Sequence, residues 1–234
     1  MNIRVKACIP AAIALAVQCG AALWLVGRYE NVVRNGTEIT LPCRGFDPYD
    51  ALRGRYLRVS AVQDCDVFDP PLPGKSGEKD AADLLSELNY GSEIPPYRYA
   101  KFVPAEGGLW RVEKLADAAG PDGVWMKLGR VRFSYRLDWS DKKKDEEYED
   151  FEKRRRESGV KAEVRMPEYF FLSERLADDA DKILAQALMQ SGGRPARRCT
   201  ATYRILDDKA VMTRIQIDGR DILELAREKG CAAK

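Results

Sequence analysis

A stretch without any charged side chain, residues 7–27, is the feature that most constrains this chain of 234 residues. About 20 helical residues, at roughly 1.5 Å each, cover the hydrocarbon core of a bilayer, which is about 30 Å thick. Arg4 and Lys6 precede the stretch, and basic residues favour the cytoplasmic side of a membrane. The pattern predicts a cytoplasmic N-terminus at 1–6, a transmembrane anchor at 7–27 and an extracytoplasmic domain at 28–234.

Three other interpretations of this segment compete with the anchor. A cleaved signal peptide has a shorter apolar run before its cleavage site, whereas this run continues through Val26. A lipoprotein would use Cys19, but Ala16, Val17 and Gln18 before it lack the Leu and small residues that such a site needs. A buried core helix would not be expected directly after two basic residues. The predicted location is therefore the inner (plasma) membrane, with a single pass.

Composition excludes several classes of function. The 39 basic and 37 acidic side chains give a net charge of +2, so no broad positive field attracts nucleic acid. The chain has no histidine. It therefore lacks the base of Ser-His-Asp and Cys-His catalysis and the commonest metal ligand. We predict no metal, no cofactor and no nucleic-acid partner.

Two remaining catalytic chemistries find little support. A Ser-Lys hydrolase needs a serine activated by a lysine after the anchor. Residues 28–59 contain no serine, and no lysine occurs between Lys6 and Lys75. Paired carboxylates could hydrolyse a glycosidic bond, but nothing singles out two of the many acids. The sequence therefore favours a role without catalysis.

Four cysteines outside residues 7–27 are candidates for disulfides, because an extracytoplasmic compartment is oxidising. They are Cys43, Cys65, Cys199 and Cys231. Four cysteines allow three pairings. The pairs Cys43–Cys65 and Cys199–Cys231 are favoured because each brackets a local segment, and buried free thiols are the alternative.

Alternating apolar residues predict an α+β fold with a predominantly antiparallel sheet or barrel and two or three short helices. The phase of alternation flips across Gly129, which predicts a bulge or sharp bend there. A helix is predicted over 174–190, where apolar residues recur on one face. Strands are predicted at 37–41, 56–62, 97–103, 109–115, 124–139, 161–172 and in a C-terminal hairpin over 201–217.

Two segments are predicted to be insertions. Residues 66–96 are interrupted by prolines, and residues 140–158 are almost entirely charged. The charged segment could be a lipid or nucleic-acid patch. Because acidic and basic residues are mixed in it, a solvated helix or loop is the favoured interpretation.

Several segments in this order resemble a family of bacterial membrane-anchored proteins named for a GDYxxLxY motif. These segments are Asn35–Leu41, Phe46–Val59, Lys127–Val131 and Tyr169–Glu174, followed by an Asp-containing hairpin. The resemblance implies an N-terminal anchor, a periplasmic domain and no established activity.

The chain departs from the naming motif at three positions. Arg55 stands where the family has Asp, Val59 where it has Leu, and Ala61 where it has Tyr. The motif positions that we take as candidate binding residues are Asp47, Arg53, Gly54, Tyr56, Arg58, Arg130, Tyr169 and Glu174. A structural alternative is that Asp47, Arg53 and Arg58 form an ion network that holds the turn.

The predicted function is that of an accessory or interaction protein whose domain docks on a membrane protein of the cell envelope, with the segment 47–58 in the docking face. The first alternative is a binding module for an envelope sugar or lipid. Its groove would use Tyr97, Tyr99, Phe102 and Trp110, although their spacing in strands favours core packing. The second alternative is a hydrolase with two carboxylates.

Overall fold

The computed structural model describes residues 3–43, 45–46, 56–69, 72, 85–86, 88–89, 97–129, 131–188, 190–191, 194–195, 198–207 and 209–232. Within these ranges four α-helices accompany strands that pair antiparallel with a single parallel exception. The predicted α+β class with mainly antiparallel strands is therefore confirmed, although the strands form five small sheets instead of one barrel.

The helices are α1 (Ile3–Asn35), α2 (Tyr148–Glu157), α3 (Glu174–Leu188) and α4 (Ile222–Ala232). The strands are β1 (Thr37–Pro42), β2 (Gly45–Phe46), β3 (Tyr56–Ser60), β4 (Val62–Cys65), β5 (Phe68–Asp69), β6 (Tyr99–Pro104), β7 (Trp110–Ala116), β8 (Val124–Lys127), β9 (Arg132–Tyr135), β10 (Val160–Arg165), β11 (Tyr169–Phe171), β12 (Gln190–Ser191), β13 (Arg194–Pro195), β14 (Cys199–Leu206), β15 (Lys209–Ile217) and β16 (Arg220–Asp221).

The N-terminal helix corrects the prediction of a transmembrane anchor at 7–27. Among the described residues, none of the helices combines the length and the apolar character that crossing a bilayer requires. Arg28 ends the uncharged stretch of this helix. Glu30 and Arg34 follow and form an ion pair one helical turn apart.

The sheet with strand order β1–β14–β15–β16 contributes buried side chains to the apolar core. Ile39 and Leu41 on β1 are fully buried, as the alternation predicted, and they face Tyr203 and Ala201 of β14 across the ladder. The predicted C-terminal hairpin is confirmed as β14 and β15. Its turn contains Asp207 in a left-handed conformation with φ of 53°.

A second sheet, with strand order β5–β7–β6–β8, is built around the predicted hairpin of β6 and β7. Gly107 and Gly108 in its turn have φ of 67° and 72°, values that residues with a Cβ rarely adopt. The predicted bend at Gly129 is also confirmed. The chain leaves β8 of this sheet there and enters β9, which pairs with β10 in another sheet.

Strands β3 and β4 run beside β11 and β10 in one continuous antiparallel register. Tyr56 lies opposite Phe171 at one end, and Cys65 lies opposite Ala162 at the other. Between the two pairs, the amide of Met166 donates to the carbonyl oxygen of Ala61 at 3.3 Å. The family segments around 56–59 and 169–174 are thus brought side by side.

The predicted helix over 174–190 is confirmed as α3. It buries Ala177, Ala180, Leu184 and Ala187 on one face, against β2, β3 and helix α4. Of these residues, Ala180, Leu184 and Ala187 belong to the main apolar core.

The charged insertion forms a helix whose surface is lined with ion pairs, as its mixed charges predicted. Phe151 anchors α2 with no exposed surface, and Arg154 pairs with Glu146 at 2.8 Å. Most of the insertion at 66–96 lies outside the described residues, but Leu72 and Leu88 are buried in the core.

Candidate interaction surface

The pairing of β3 with β11 divides their side chains between two faces. Successive residues of a strand point to opposite sides of the sheet. Leu57, Val59 and Phe170 therefore point into the core, with 6% or less of each exposed. The opposite face carries the side chains of Tyr56, Arg58, Tyr169 and Phe171.

Three aromatic rings form a cluster on this outer face, and together with Arg58 and Glu168 they are called the aromatic surface below. The rings of Tyr56 and Tyr169 meet edge to face, with centroids 4.9 Å apart. Tyr56 also contacts the ring of Phe171 at 6.3 Å. Phe171 is 74% exposed and Tyr169 is 39% exposed. The cluster thus presents ordered apolar area to its surroundings.

An ion pair borders the aromatic rings. The Nε of Arg58 donates to Oε2 of Glu168 at 2.8 Å, and both side chains are partly shielded from solvent. The amide of Val59 donates to the carbonyl oxygen of Glu168 at 2.9 Å, which ties the two motif segments together through the backbone as well. Arg58 is therefore held in place beside Tyr169.

Tyr203 supports this surface from below. Its hydroxyl donates to the carbonyl oxygen of Pro167 at 3.2 Å, just before β11 begins. The ring is fully buried, and this burial raises the pKa of the Tyr203 hydroxyl well above its usual value of 10. The phenol therefore stays protonated and remains a donor to this backbone segment.

The predicted binding residues are only partly accounted for. Tyr56, Arg58 and Tyr169 are brought together, whereas Glu174 begins the following helix α3 and is exposed. Asp47, Arg53, Gly54 and Arg130 lie outside the described residues, so the proposed ion network of Asp47, Arg53 and Arg58 cannot be placed.

Two residues of the surface were missed in the sequence. Phe170 and Phe171 are neighbours in a strand, so one of them had to point away from the core. That signal was available for Phe171. The sequence contained no local signal for Glu168, because its contact with Arg58 joins residues 110 positions apart.

The aromatic residues considered for a ligand groove are mostly packed in the core. Tyr97 and Phe102 are buried, and Tyr97 packs against Phe68 with ring centroids 5.1 Å apart. Burial raises the pKa of Tyr97 to about 12. Tyr99 and Trp110 are half-buried on β6 and β7.

One carboxyl group on α3 has a raised pKa. Burial and the nearby charge of Asp178 raise the pKa of Asp181. Both residues lie on α3, three positions apart, and neither lines the cleft that contains Lys127, Arg165 and Lys209. A hydrolase with two carboxylates needs a substrate cleft between them, so this pair does not favour that alternative.

Among the described residues, His, Cys, Asp and Glu form no cluster able to hold a metal ion.

The structure places the side chains of three of the four candidate cysteines; Cys43 and Cys65 are not bonded to each other, and the pair Cys199–Cys231 stays a prediction. Cys43, Cys65 and Cys199 are buried thiols, and the side chain of Cys231 lies outside the described residues. Cys43 lies beside Cys199 at the end of the β1–β14 ladder. Cys65 is on β4, where its thiol donates to the carbonyl oxygen of Val67.

These features define an α+β protein that displays paired motif strands with an exposed aromatic surface. The chain belongs to the GDYXXLXY protein family, whose model matches residues 18–224. No curated protein and no solved structure matches the chain significantly.

The structure explains two of the three departures from the family motif. Val59 and Ala61 are on the inward side of β3 and just after it, and both are buried. Replacement of Leu by Val and of Tyr by Ala therefore changes core packing and not the exposed face. Arg55 lies outside the described residues.

Proposed function

We propose that this protein is an interaction protein whose aromatic surface docks on a protein partner in the cell envelope, specifically a membrane protein. The observation that carries the proposal is the exposure of Phe171 and Tyr169 next to Tyr56, on strands that both belong to the family's shared segments.

Exposed aromatic clusters favour association for a physical reason. Tyr and Phe bring a large contact area with few rotatable bonds, so little conformational entropy is lost when they are covered. The edge-to-face contact of Tyr56 and Tyr169 restricts both rings before any partner arrives. This preorganisation lowers the entropic cost of binding.

The neighbouring ion pair would add selectivity. Tyr and Arg are enriched among the residues that dominate binding energy at interfaces. Because Glu168 fixes the guanidinium of Arg58, a partner would meet one orientation of hydrogen-bond donors at the edge of the rings.

The proposed location is outside the cytoplasm, as the family resemblance implies. This location fits a partner of the envelope, and it is separately testable. Protease added to intact spheroplasts should degrade the folded domain while a cytoplasmic control protein survives. Survival of the domain under the same conditions would contradict the location without testing the docking surface.

The docking proposal is tested by chemical cross-linking in intact cells, followed by purification of the full chain and quantification of attached proteins. A Tyr169→Ala and Phe171→Ala double variant should lose a stoichiometric partner, at least tenfold relative to wild type. Tyr148→Ala is the matched control, because Tyr148 is also exposed but lies on α2. A partner retained equally by all three proteins would refute docking through this surface.

A ligand-binding module is the second candidate, supported by a basic cleft at the base of α1. The cleft has a volume of about 400 Å³, and its lining among the described residues includes Lys127, Arg165 and Lys209 but no carboxylate. Lys209 lies over the ring of Tyr29, with its Nζ 4.8 Å from the ring centroid. Such a cleft suits an anionic sugar or lipid headgroup.

The two candidates respond to different substitutions. If the protein is a ligand-binding module, Lys127→Ala with Lys209→Ala should weaken binding of an anionic sugar or headgroup at least tenfold in calorimetry. The aromatic double variant should then bind as the wild type does. Docking would be favoured if the lysine double variant behaved as the wild type and the aromatic double variant lost its protein partner.

A further inference from the structure

Cys43 and Cys199 lie directly opposite each other where β1 meets β14. The ladder pairs Pro42 with Thr200, and the next pair along the same register is Cys43 with Cys199. The amide of Cys43 donates to the carbonyl oxygen of Cys199 at 3.0 Å. Only 6% and 4% of the two residues are exposed.

The two thiols are within reach of each other. A hydrogen bond with Cys199 is the main cause that raises the pKa of Cys43 above its usual value, and burial adds to it. Directly paired residues of an antiparallel ladder that share backbone hydrogen bonds have Cα atoms about 5.5 Å apart, inside the range that disulfides span. The thiol of Cys65 donates instead to the carbonyl oxygen of Val67.

We propose that Cys43 and Cys199 are a modification site that closes to a disulfide in the presence of a disulfide oxidant, such as oxidised glutathione. The thiolate of Cys43 attacks the oxidant, forms a mixed disulfide and releases one glutathione thiolate. The thiolate of Cys199 then attacks the Cys43 sulfur and releases the second. The protein loses two electrons and two protons, and the oxidant becomes two thiols.

Burial decides when this reaction takes place. Buried thiols with a raised pKa are poor nucleophiles, so the folded pair is protected from oxidants. The thiol–disulfide exchange therefore takes place during folding, before β1 and β14 pair and bury the two thiols. Once formed, the bond would close a loop of roughly 150 residues and would raise the melting temperature by about 5–15 °C.

The test is to refold the full chain in glutathione redox buffer, trap free thiols by alkylation and map disulfide-linked peptides. The expected product links Cys43 to Cys199, and its melting temperature falls when a reductant is added. Cys65→Ser should keep this behaviour, whereas Cys43→Ser should abolish it. If Cys43→Ser fails to fold, the peptide map of the wild type alone decides.

Two results would overturn the inference. One is a link from Cys43 or Cys199 to another cysteine, including one in a second chain. The other is complete alkylation of both cysteines after refolding in the oxidising buffer.

Discussion

Gly36, between α1 and β1, shows how a single residue sets the angle at which the helix enters the domain. A Cβ atom at this position would lie 2.5 Å from the carbonyl oxygen of Val32 and 3.0 Å from that of Ile205. Both neighbours are backbone atoms, so neither can rotate away. Arg204 also donates to the carbonyl oxygen of Gly36 at 3.0 Å, which holds this junction from the side of β14.

Gly36→Ala should therefore destabilise the protein. Overpacking against fixed backbone costs about 1–3 kcal/mol in free energy of unfolding, which is a fall of several degrees in melting temperature. Gly129→Ala is the matched control, because a Cβ there meets no atom within 4 Å. Equal melting temperatures for the two variants would show that the helix can shift without cost.

Phe151 is the only buried residue of helix α2. Phe151 is fully buried, but it lies outside the main apolar cluster and packs with Trp139, whose ring centroid is 5.1 Å away. The helix should therefore open separately from the sheets.

Phe151→Ala should cause helix α2 to unfold locally. Loss of a buried Phe costs about 3–5 kcal/mol when the site cannot collapse, so amide exchange over 148–157 should become fast. Exchange in β14 and β15 should stay as in the wild type, since those strands belong to the main core. Faster exchange in both regions would mean that α2 is part of the global folding unit.

The pH dependence of the same element follows from Glu146. Hydrogen bonds from Arg154, and then from the amide of Lys143, lower the pKa of Glu146 from 4.5 to about 2. A carboxylate with a lower pKa in the folded state stabilises that state above its unfolded pKa. The contribution of ionised Glu146 to the stability of the folded state should be complete above about pH 4.5 and lost as the pH falls to about 2.

The pH effect is measured by amide exchange over 142–157 between pH 6 and pH 2, after correction for intrinsic rates. Wild type should lose local protection across this window, and Glu146→Gln should lack that pH-dependent loss. A wild-type profile identical to that of Glu146→Gln would show that the ion pair contributes nothing.

Local patterns predicted the elements well and their partners poorly. The alternation in β1 and β14, the helix α3 and the bend at Gly129 all depend on neighbouring residues, so they could be predicted from the sequence. Strict alternation does not hold along β15, because its register with β14 shifts and Met212 is buried instead of Val211. The contact of Arg58 with Glu168 and the approach of Cys43 to Cys199 depend on strand pairings between distant segments. The transmembrane anchor predicted at 7–27 is wrong, since no helix among the described residues is long and apolar enough to cross a bilayer.

At the scale of the whole molecule, the fold gathers family segments from distant parts of the chain into one exposed face. Strand β3 and strand β11 share a register, and their inner side chains belong to the common core. The outer side chains of Tyr56, Tyr169 and Phe171 are not needed to fill that core. We therefore expect their removal to affect association more than stability.

Phe171→Ala should lower the melting temperature by no more than about 2 °C, since an exposed side chain contributes little to burial. The core-facing neighbour supplies the contrast. Phe170→Ala should cost several kcal/mol, on the order of 3–5, because this ring is buried. Similar losses for both variants would mean that Phe171 is structural and would weaken its assignment to a docking face.

The most direct test of docking places a photo-reactive benzoyl-phenylalanine at position 171 of the full chain, in the cells that naturally produce it. The account predicts one dominant cross-linked protein, absent when the probe is at position 148 and reduced by Tyr56→Ala. No adduct at position 171 above that seen at position 148 would contradict the docking proposal.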